Sequence, residues 1–121
     1  MKAVKPDNFN AYREAMNEKI LAAPNNKIIK RIFNVYTNAF CPGALYEKAR
    51  EMSGLMASVV LKCDDYIYYH LKNRFEKGVT AEELMEIFGV ANLVGGTVVI
   101  PHTRRSMVFW GHLHEKQRNE K

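Results

Sequence analysis

Cysteine is scarce in this chain: Cys41 and Cys63 are the two thiols among 121 residues. Two thiols are too few for the disulfide framework of a small secreted domain, so a reducing cytoplasmic compartment is expected. Long apolar runs are also missing. No stretch approaches the roughly eighteen apolar residues of a membrane-spanning helix, so no membrane partner is expected. Met1 to Asn10 carries lysines but no apolar segment of the signal-peptide kind. Repeats, low-complexity tracts and an interdomain linker are absent, and the length suits one domain over 1–121 with one core. Charge of one sign is not concentrated either. The net charge is +5, but the basic residues are mixed with acids and are locally denser only at Lys27, Lys30 and Arg31 and at Arg104 and Arg105. That is the pattern of a solvated surface, and no nucleic-acid partner is expected. A composition of 47% hydrophobic and 26% charged residues excludes a disordered chain.

The periodicity predicts an all-α fold, a single-domain bundle of about six helices. The first starts near Asp7 or Asn8, either of which suits a cap, and carries Tyr12, Met16, Ile20 and Ala23 at helical spacing up to the breaker Pro24-Asn25-Asn26. The second has Ile28, Ile29, Ile32, Phe33 and Tyr36 as its apolar face and stops by Cys41, before Pro42-Gly43. The third runs from about Ala44 to Leu61 with Leu45, Ala49, Met52, Met56, Val59 and Val60 as its stripe. Its uncharged half, Gly54 to Leu61, is expected to be buried all round, which in a small chain points to a subunit interface. The fourth covers about Asp64 to Lys77 and is stopped by Gly78. Thr80 and Glu83 form a capping box for a fifth helix with Leu84, Ile87, Phe88 and Ala91 inside. The β-branched run from Thr97 to Ile100 could be a strand, but a lone strand has no partner, so helix with close-packed small residues is preferred. Pro101 suits the first turn of a last helix through Trp110, with a polar, frayed tail from Glu115 to Lys121. The methionines Met52, Met56 and Met85 read as core fillers.

One stretch concentrates reactive side chains: Cys63-Asp64-Asp65-Tyr66-Ile67-Tyr68-Tyr69-His70. Positions 63, 66 or 67, and 70 share one helix face, so Cys63, Tyr66 and His70 can look toward one point. A thiol near a helix start sees the partial positive charge of unpaired amides, which favours thiolate, while Asp64 and Asp65 oppose it. Imidazole is suited to proton transfer near neutrality. The bland alternatives are a small buried hydrophobe for Cys63, a core hydrogen bond for His70 and a solvated charge for Glu51. A metal set of Cys63, Asp65 and His70 is allowed by ligand type, but its spacing fits no standard zinc motif, and no metal or other cofactor is expected.

An ordered set of motifs carries a resemblance. Lys48 to Leu55, Cys63 to His70, Gly78 to Glu83, Gly95-Gly96 and Ile100-Pro101-His102, read together, resemble the carboxymuconolactone decarboxylase family, which includes the alkylhydroperoxidase D-like proteins. The likeness covers about 33–110. It implies an all-helical, obligate homo-oligomer, trimer or hexamer, with the active site on the helix that begins at the cysteine motif. In the peroxidase-like branch the motif is Cys-x-x-Cys, with a His four residues on and a Glu twelve residues before the first Cys. Glu51, Cys63 and His70 fall on those positions, and Tyr66 stands where the second Cys would be.

The resemblance therefore implies Glu51, Cys63 and His70 as catalytic residues, with Asp65, Tyr66 and His102 as candidate substrate contacts. The first expectation is a thiol oxidoreductase of the alkylhydroperoxidase D-like, peroxiredoxin-type kind with a degenerate motif. A single thiol cannot form its own disulfide there, so an external thiol reductant is required. Cys41 would lie far from Cys63 within one subunit, across a helix of roughly 25 Å, and could resolve it only across a subunit contact. The second expectation is a cofactor-independent decarboxylase-like lyase in which His70 carries the proton and Glu51 orients it. For an anionic substrate, His102, Arg104 and Arg105 are the candidate cations. The third is a non-catalytic oligomeric binding protein that has lost the redox pair.

Overall fold

Pro6 opens the first helix because its missing N–H would be unpaired there in any case. The computed structural model describes residues 5–41, 43–76 and 78–119, and among them every regular element is helical. The order is α1 (Pro6–Ala22), α2 (Lys27–Ala39), α3 (Glu47–Val60), α4 (Asp64–Glu76), α5 (Ala81–Gly95), a 3-10 turn (Thr97–Val99) and α6 (Ile100–Asn119). Met1–Val4, Pro42, Lys77 and Glu120–Lys121, which bear on the expected boundaries, lie outside the described residues.

Several boundaries differ from expectation. Lys5, not Asp7 or Asn8, precedes α1. Asp7 instead sits in the first turn, where a carboxylate suits the helix dipole, and pairs with Lys116 at 2.8 Å. Helix α3 starts at Glu47, so Leu45 stays in the exposed connection. Residues 115–119, expected as a frayed tail, are helical: α6 continues to Asn119. The capping box at Thr80 is present in both directions, with Glu83 N–H donating to Oγ1 of Thr80 at 3.1 Å and Thr80 N–H donating to Oε1 of Glu83 at 3.0 Å. The β-branched run is helical, as preferred. Gly96, at φ 85°, precedes it and separates α5 from the 3-10 turn. Gly95 packs closely there: a Cβ on it would fall 2.6 Å from Val99 Cγ2.

The core lies between α3, α4, α5 and α6. Helix α3 packs on α4 and α5, and α4 packs on α6. Leu55, Ile67, Leu71, Leu84, Phe88 and Phe109 are out of contact with water. On α3 the buried face is Glu51, Leu55, Ser58 and Val59, while Met52, Met56 and Val60 pack against its edge. The uncharged half is not buried all round in the single chain, since Leu61 is exposed. Met85 is also exposed.

Helices α1 and α2 form a hairpin that leans on this body. On α1 only Pro6 and Phe9 are buried; Tyr12 and Ile20, from its expected stripe, are exposed. Phe9 is held edge-on by Tyr68 and Phe109, which stack on each other at 4.6 Å. Helix α2 buries none of its residues, and Ile28 on its apolar stripe is 72% exposed. The stripe predicted for α2 is divided: Phe33 and Tyr36 are half-buried against the body, while Ile28, Ile29 and Ile32 are exposed in the single chain.

Candidate active site

The site is built where α3 and α4 face each other. Glu51 lies on the buried face of α3 and His70 on the buried face of α4, and both are almost inaccessible, at 6% and 2% exposure. His70 Nδ1 stands 2.8 Å from Oε2 of Glu51. A carboxylate only accepts, so Nδ1 carries the ring proton and donates it. Nε2 is then the acceptor, and it faces the hydroxyl of Tyr36 on α2, which donates to it at 3.0 Å. Carboxylate, imidazole and phenol thus form one chain of hydrogen bonds across α3, α4 and α2.

The packing around the imidazole holds this order. Phe40 lies with its ring centroid 5.1 Å from that of His70, and Tyr69 lies at 5.3 Å. Gly54 is needed on α3. A Cβ at that position would meet His70 Cε1 at 2.9 Å and Phe40 Cε1 at 2.7 Å, closer than side chains pack. The other oxygen of Glu51 accepts a long hydrogen bond from Asn73 Nδ2 at 3.4 Å and stands 3.9 Å from Arg74 NH2. Arg74 is fully buried, and its three side-chain nitrogens have no hydrogen-bond partner among the described residues. Burial pushes its guanidinium down from its ordinary value, and the charge of Glu51 opposes that. Glu51 is therefore not a solvated charge but the centre of a buried polar cluster.

Beside the cluster is a cavity of about 320 Å³ between α1, α2 and the start of α4. Its walls are largely aromatic, including Phe9, Phe33, Tyr36, Tyr66 and Tyr69. Arg13 adds a cation, which lies 4.1 Å above the Tyr69 ring. Tyr36 belongs to both structures: it lines the cavity and it bonds His70. Its phenol is pushed well above the ordinary value, first by burial and then by Tyr69, Tyr66 and Glu51. Asp65 and Tyr66 also line this cavity.

The residues singled out in the sequence are thus partly gathered. Glu51 and His70 are joined directly, and Asp65 and Tyr66 share the cavity with Tyr36. Cys63 sits just ahead of α4, its carbonyl accepting the Ile67 N–H at 3.0 Å, with a free, half-buried thiol. It is two helical turns from His70, about 10 Å along the axis. Tyr66, one turn from His70, packs on Tyr36 with ring centroids 5.4 Å apart. Cys41 is exposed, its thiol directed to the Thr37 carbonyl at 3.7 Å.

His102 stands elsewhere, in a cluster that ties α6 to α4. Its Nδ1 donates to Oδ1 of Asp64 at 2.7 Å, and Arg105 Nε donates to Oδ2 at 2.9 Å. His102 and Arg105 are not among the residues lining the cavity. Among the described residues, no group of three or more His, Cys, Asp and Glu side chains gathers as a metal-binding set. No described helix is long and apolar enough to cross a membrane. Sequence reasoning missed Tyr36, Arg13 and Arg74. Tyr36 was counted among the apolar residues of its helix, although a tyrosine in a stripe of isoleucines has a polar tip that must find a partner.

The likeness to known proteins extends over most of the chain. Residues 27–108 match the carboxymuconolactone decarboxylase family. Two crystal structures of a Thermotoga maritima protein are 41% identical to the chain, at TM-scores of 0.88 and 0.85, and the match covers 93% of this chain and 97% or 95% of that one. One of them describes a carboxymuconolactone decarboxylase family protein for which involvement in an antioxidative response has been suggested. A family protein from Legionella pneumophila, solved in its apo form, shares the fold at a TM-score of 0.73 with 20% identity, over 87% of this chain and 96% of that one. No curated protein matches the chain. With the helices in their order and the Glu51–His70 pair inside the matched span, the chain belongs to the carboxymuconolactone decarboxylase family.

Proposed function

We propose that this chain is a cofactor-independent acid/base enzyme acting on a small molecule in the cavity between α1, α2 and α4. His70 moves the proton and Glu51 fixes its tautomer. The observation that carries this reading is the buried 2.8 Å contact between Glu51 and His70 Nδ1, with Nε2 turned toward the cavity wall. A buried imidazole oriented by a carboxylate is the arrangement that general acid/base chemistry uses. Decarboxylation is one reaction of this type, since a proton must be supplied or removed as carbon dioxide leaves.

A second reading is a peroxiredoxin-type thiol oxidoreductase working through Cys63. It is favoured by the antioxidative involvement suggested for the 41% identical relative, and by the thiol's seat at the amino end of α4. Its steps balance with an external thiol. The Cys63 thiolate attacks a hydroperoxide, giving a sulfenic acid and an alcohol. One external thiol displaces water to form a mixed disulfide, and a second releases Cys63 as the external disulfide forms. Both readings are compatible with self-association into a trimer or hexamer, which the outward apolar face of α2 and the exposed Leu93 and Val94 of α5 support.

Two assays on four proteins separate the readings. Carbon dioxide release from 4-carboxymuconolactone and consumption of cumene hydroperoxide with dithiothreitol would be followed in wild type, Cys63→Ala, His70→Ala and Glu51→Gln. The acid/base reading expects loss on the order of 10²-fold or more in His70→Ala, a fall in Glu51→Gln, and turnover retained in Cys63→Ala. Peroxide consumption that requires Cys63 and the reductant would replace it with the second reading. Inactivity of the wild type in both assays would leave a binding protein.

A further inference from the structure

We propose that Tyr36 is the catalytic residue that meets the ligand: its oxygen takes a proton from the bound molecule as its own proton passes to His70. The proposal deepens the acid/base reading above and rests on it. The first ground is tautomeric. With Nδ1 committed to Glu51, His70 can accept only at Nε2, and Nε2 is already occupied by the Tyr36 hydroxyl at 3.0 Å. The second is access. His70 is 2% exposed and does not line the cavity, whereas Tyr36 does. A molecule in the cavity therefore reaches the imidazole through the phenol.

The step balances. A C–H or O–H bond of the ligand breaks and its electron pair stays on the ligand. A new O–H forms on Tyr36 while the old one breaks, and an N–H forms on His70 Nε2. Tyr36 is neutral before and after, and the imidazolium faces the Glu51 carboxylate. Burial and the neighbouring phenols disfavour a free phenolate, so the two protons move together. The aromatic walls at Phe9, Phe33, Tyr66 and Tyr69, and a volume of about 320 Å³, suit a planar conjugated molecule with one weakly acidic hydrogen.

The probe is a nitro-substituted benzisoxazole, which is planar and has one acidic C–H. Loss of that proton opens its N–O bond and releases a coloured nitrophenolate. kcat/KM is measured for wild type, Tyr36→Phe and His70→Ala in H2O and D2O. The phenylalanine keeps the ring that packs on Tyr66, Tyr69 and Phe40. Tyr36→Phe should lose on the order of 10²-fold. The wild type should show a normal solvent deuterium effect that disappears in this variant, because the exchangeable proton in flight is the one on Tyr36. In imidazole ¹⁵N spectra the variant should shift the Nε2 signal of His70 and leave Nδ1 in place. Tyr36→Phe turning over as fast as wild type, or a wild-type reaction without a solvent deuterium effect, overturns the role of Tyr36 while His70→Ala remains inactive. His70→Ala as fast as wild type overturns the acid/base reading itself, and this proposal with it.

Discussion

Helices α3 to α6 remove Leu55, Ile67, Leu84 and Phe109 from water, whereas α2, with an equally regular apolar stripe, buries no residue at all. Each side chain of the body contributes about 1.5–3 kcal/mol by burial. The hairpin has few such terms. It is attached through Pro6 and Phe9 on α1 and through rings, Tyr36 against Tyr66 and Tyr69 and Phe40 against His70. Yet the hairpin supplies Tyr36, Phe33 and Arg13 to the cavity. Burial is concentrated in one part of the molecule, and the other supplies the cavity walls beside the buried imidazole. Loosely held elements are where binding regions are commonly found, because they open at small cost.

Substitutions on the two sides should separate these roles. The largest effect belongs to the body: Phe109→Ala, which also removes the ring stacked on Tyr68, should lower unfolding free energy by about 3–5 kcal/mol in urea titrations. Next comes the seam. Gly54→Ala forces a methyl against both His70 and Phe40, and overpacking of this kind costs about 1–3 kcal/mol. It should also shift the ¹⁵N signals of His70, since the ring must move relative to Tyr36. Thr80→Ala, which removes one direction of the capping box on α5, should cost about 1 kcal/mol without changing those signals.

A pH titration tests the hairpin's own contribution. An unfolded tyrosine ionises near about pH 10, while Tyr36 in the folded chain is held protonated beyond that, chiefly by burial. Its contribution to stability is complete below about pH 10 and is lost as the pH rises toward the folded value, because the unfolded chain gains from ionisation and the folded chain does not. The fall in urea midpoint between about pH 8 and about pH 11 should therefore be smaller in Tyr36→Phe. Tyr68, also pushed up by burial, retains its share of the fall. The smallest effect should come from Ile28→Asn on the outer face of α2. It should alter the unfolding free energy of the isolated chain by under about 0.5 kcal/mol, and a lower mass in light scattering would mark that face as one between copies.

Much of the fold was legible in the sequence. The breaker Pro24-Asn25-Asn26, the Gly78 stop and the Thr80 capping box are local signals, and local signals survive folding. What periodicity could not tell was which face wins when two are apolar. On α3, Leu55 rather than Leu45 entered the core, because the connection before Glu47 carries Leu45 away from α4 and α5. At the site, Glu51 and His70 were marked by their spacing within the family pattern. Tyr36 was not, because its contact with His70 joins residues 34 apart, and no spacing rule reaches that far. The same holds for Asp64 and His102, which are 38 apart. His102 was taken for a substrate contact, and the structure pairs it with Asp64 and Arg105, away from the cavity lining.

Arg74 carries a consequence for the charge balance of this site. With Glu51 ionised, the guanidinium 3.9 Å away makes the resting cluster electrically neutral. A proton arriving on His70 then gives the buried cluster a net positive charge, whereas with Glu51 alone it would merely cancel a negative one. In the acid/base reading proposed above, Arg74 therefore makes Glu51 an orienting partner of His70 rather than an uncompensated buried charge. The imidazole is thus directed by a carboxylate whose own charge is balanced from the side away from the ring.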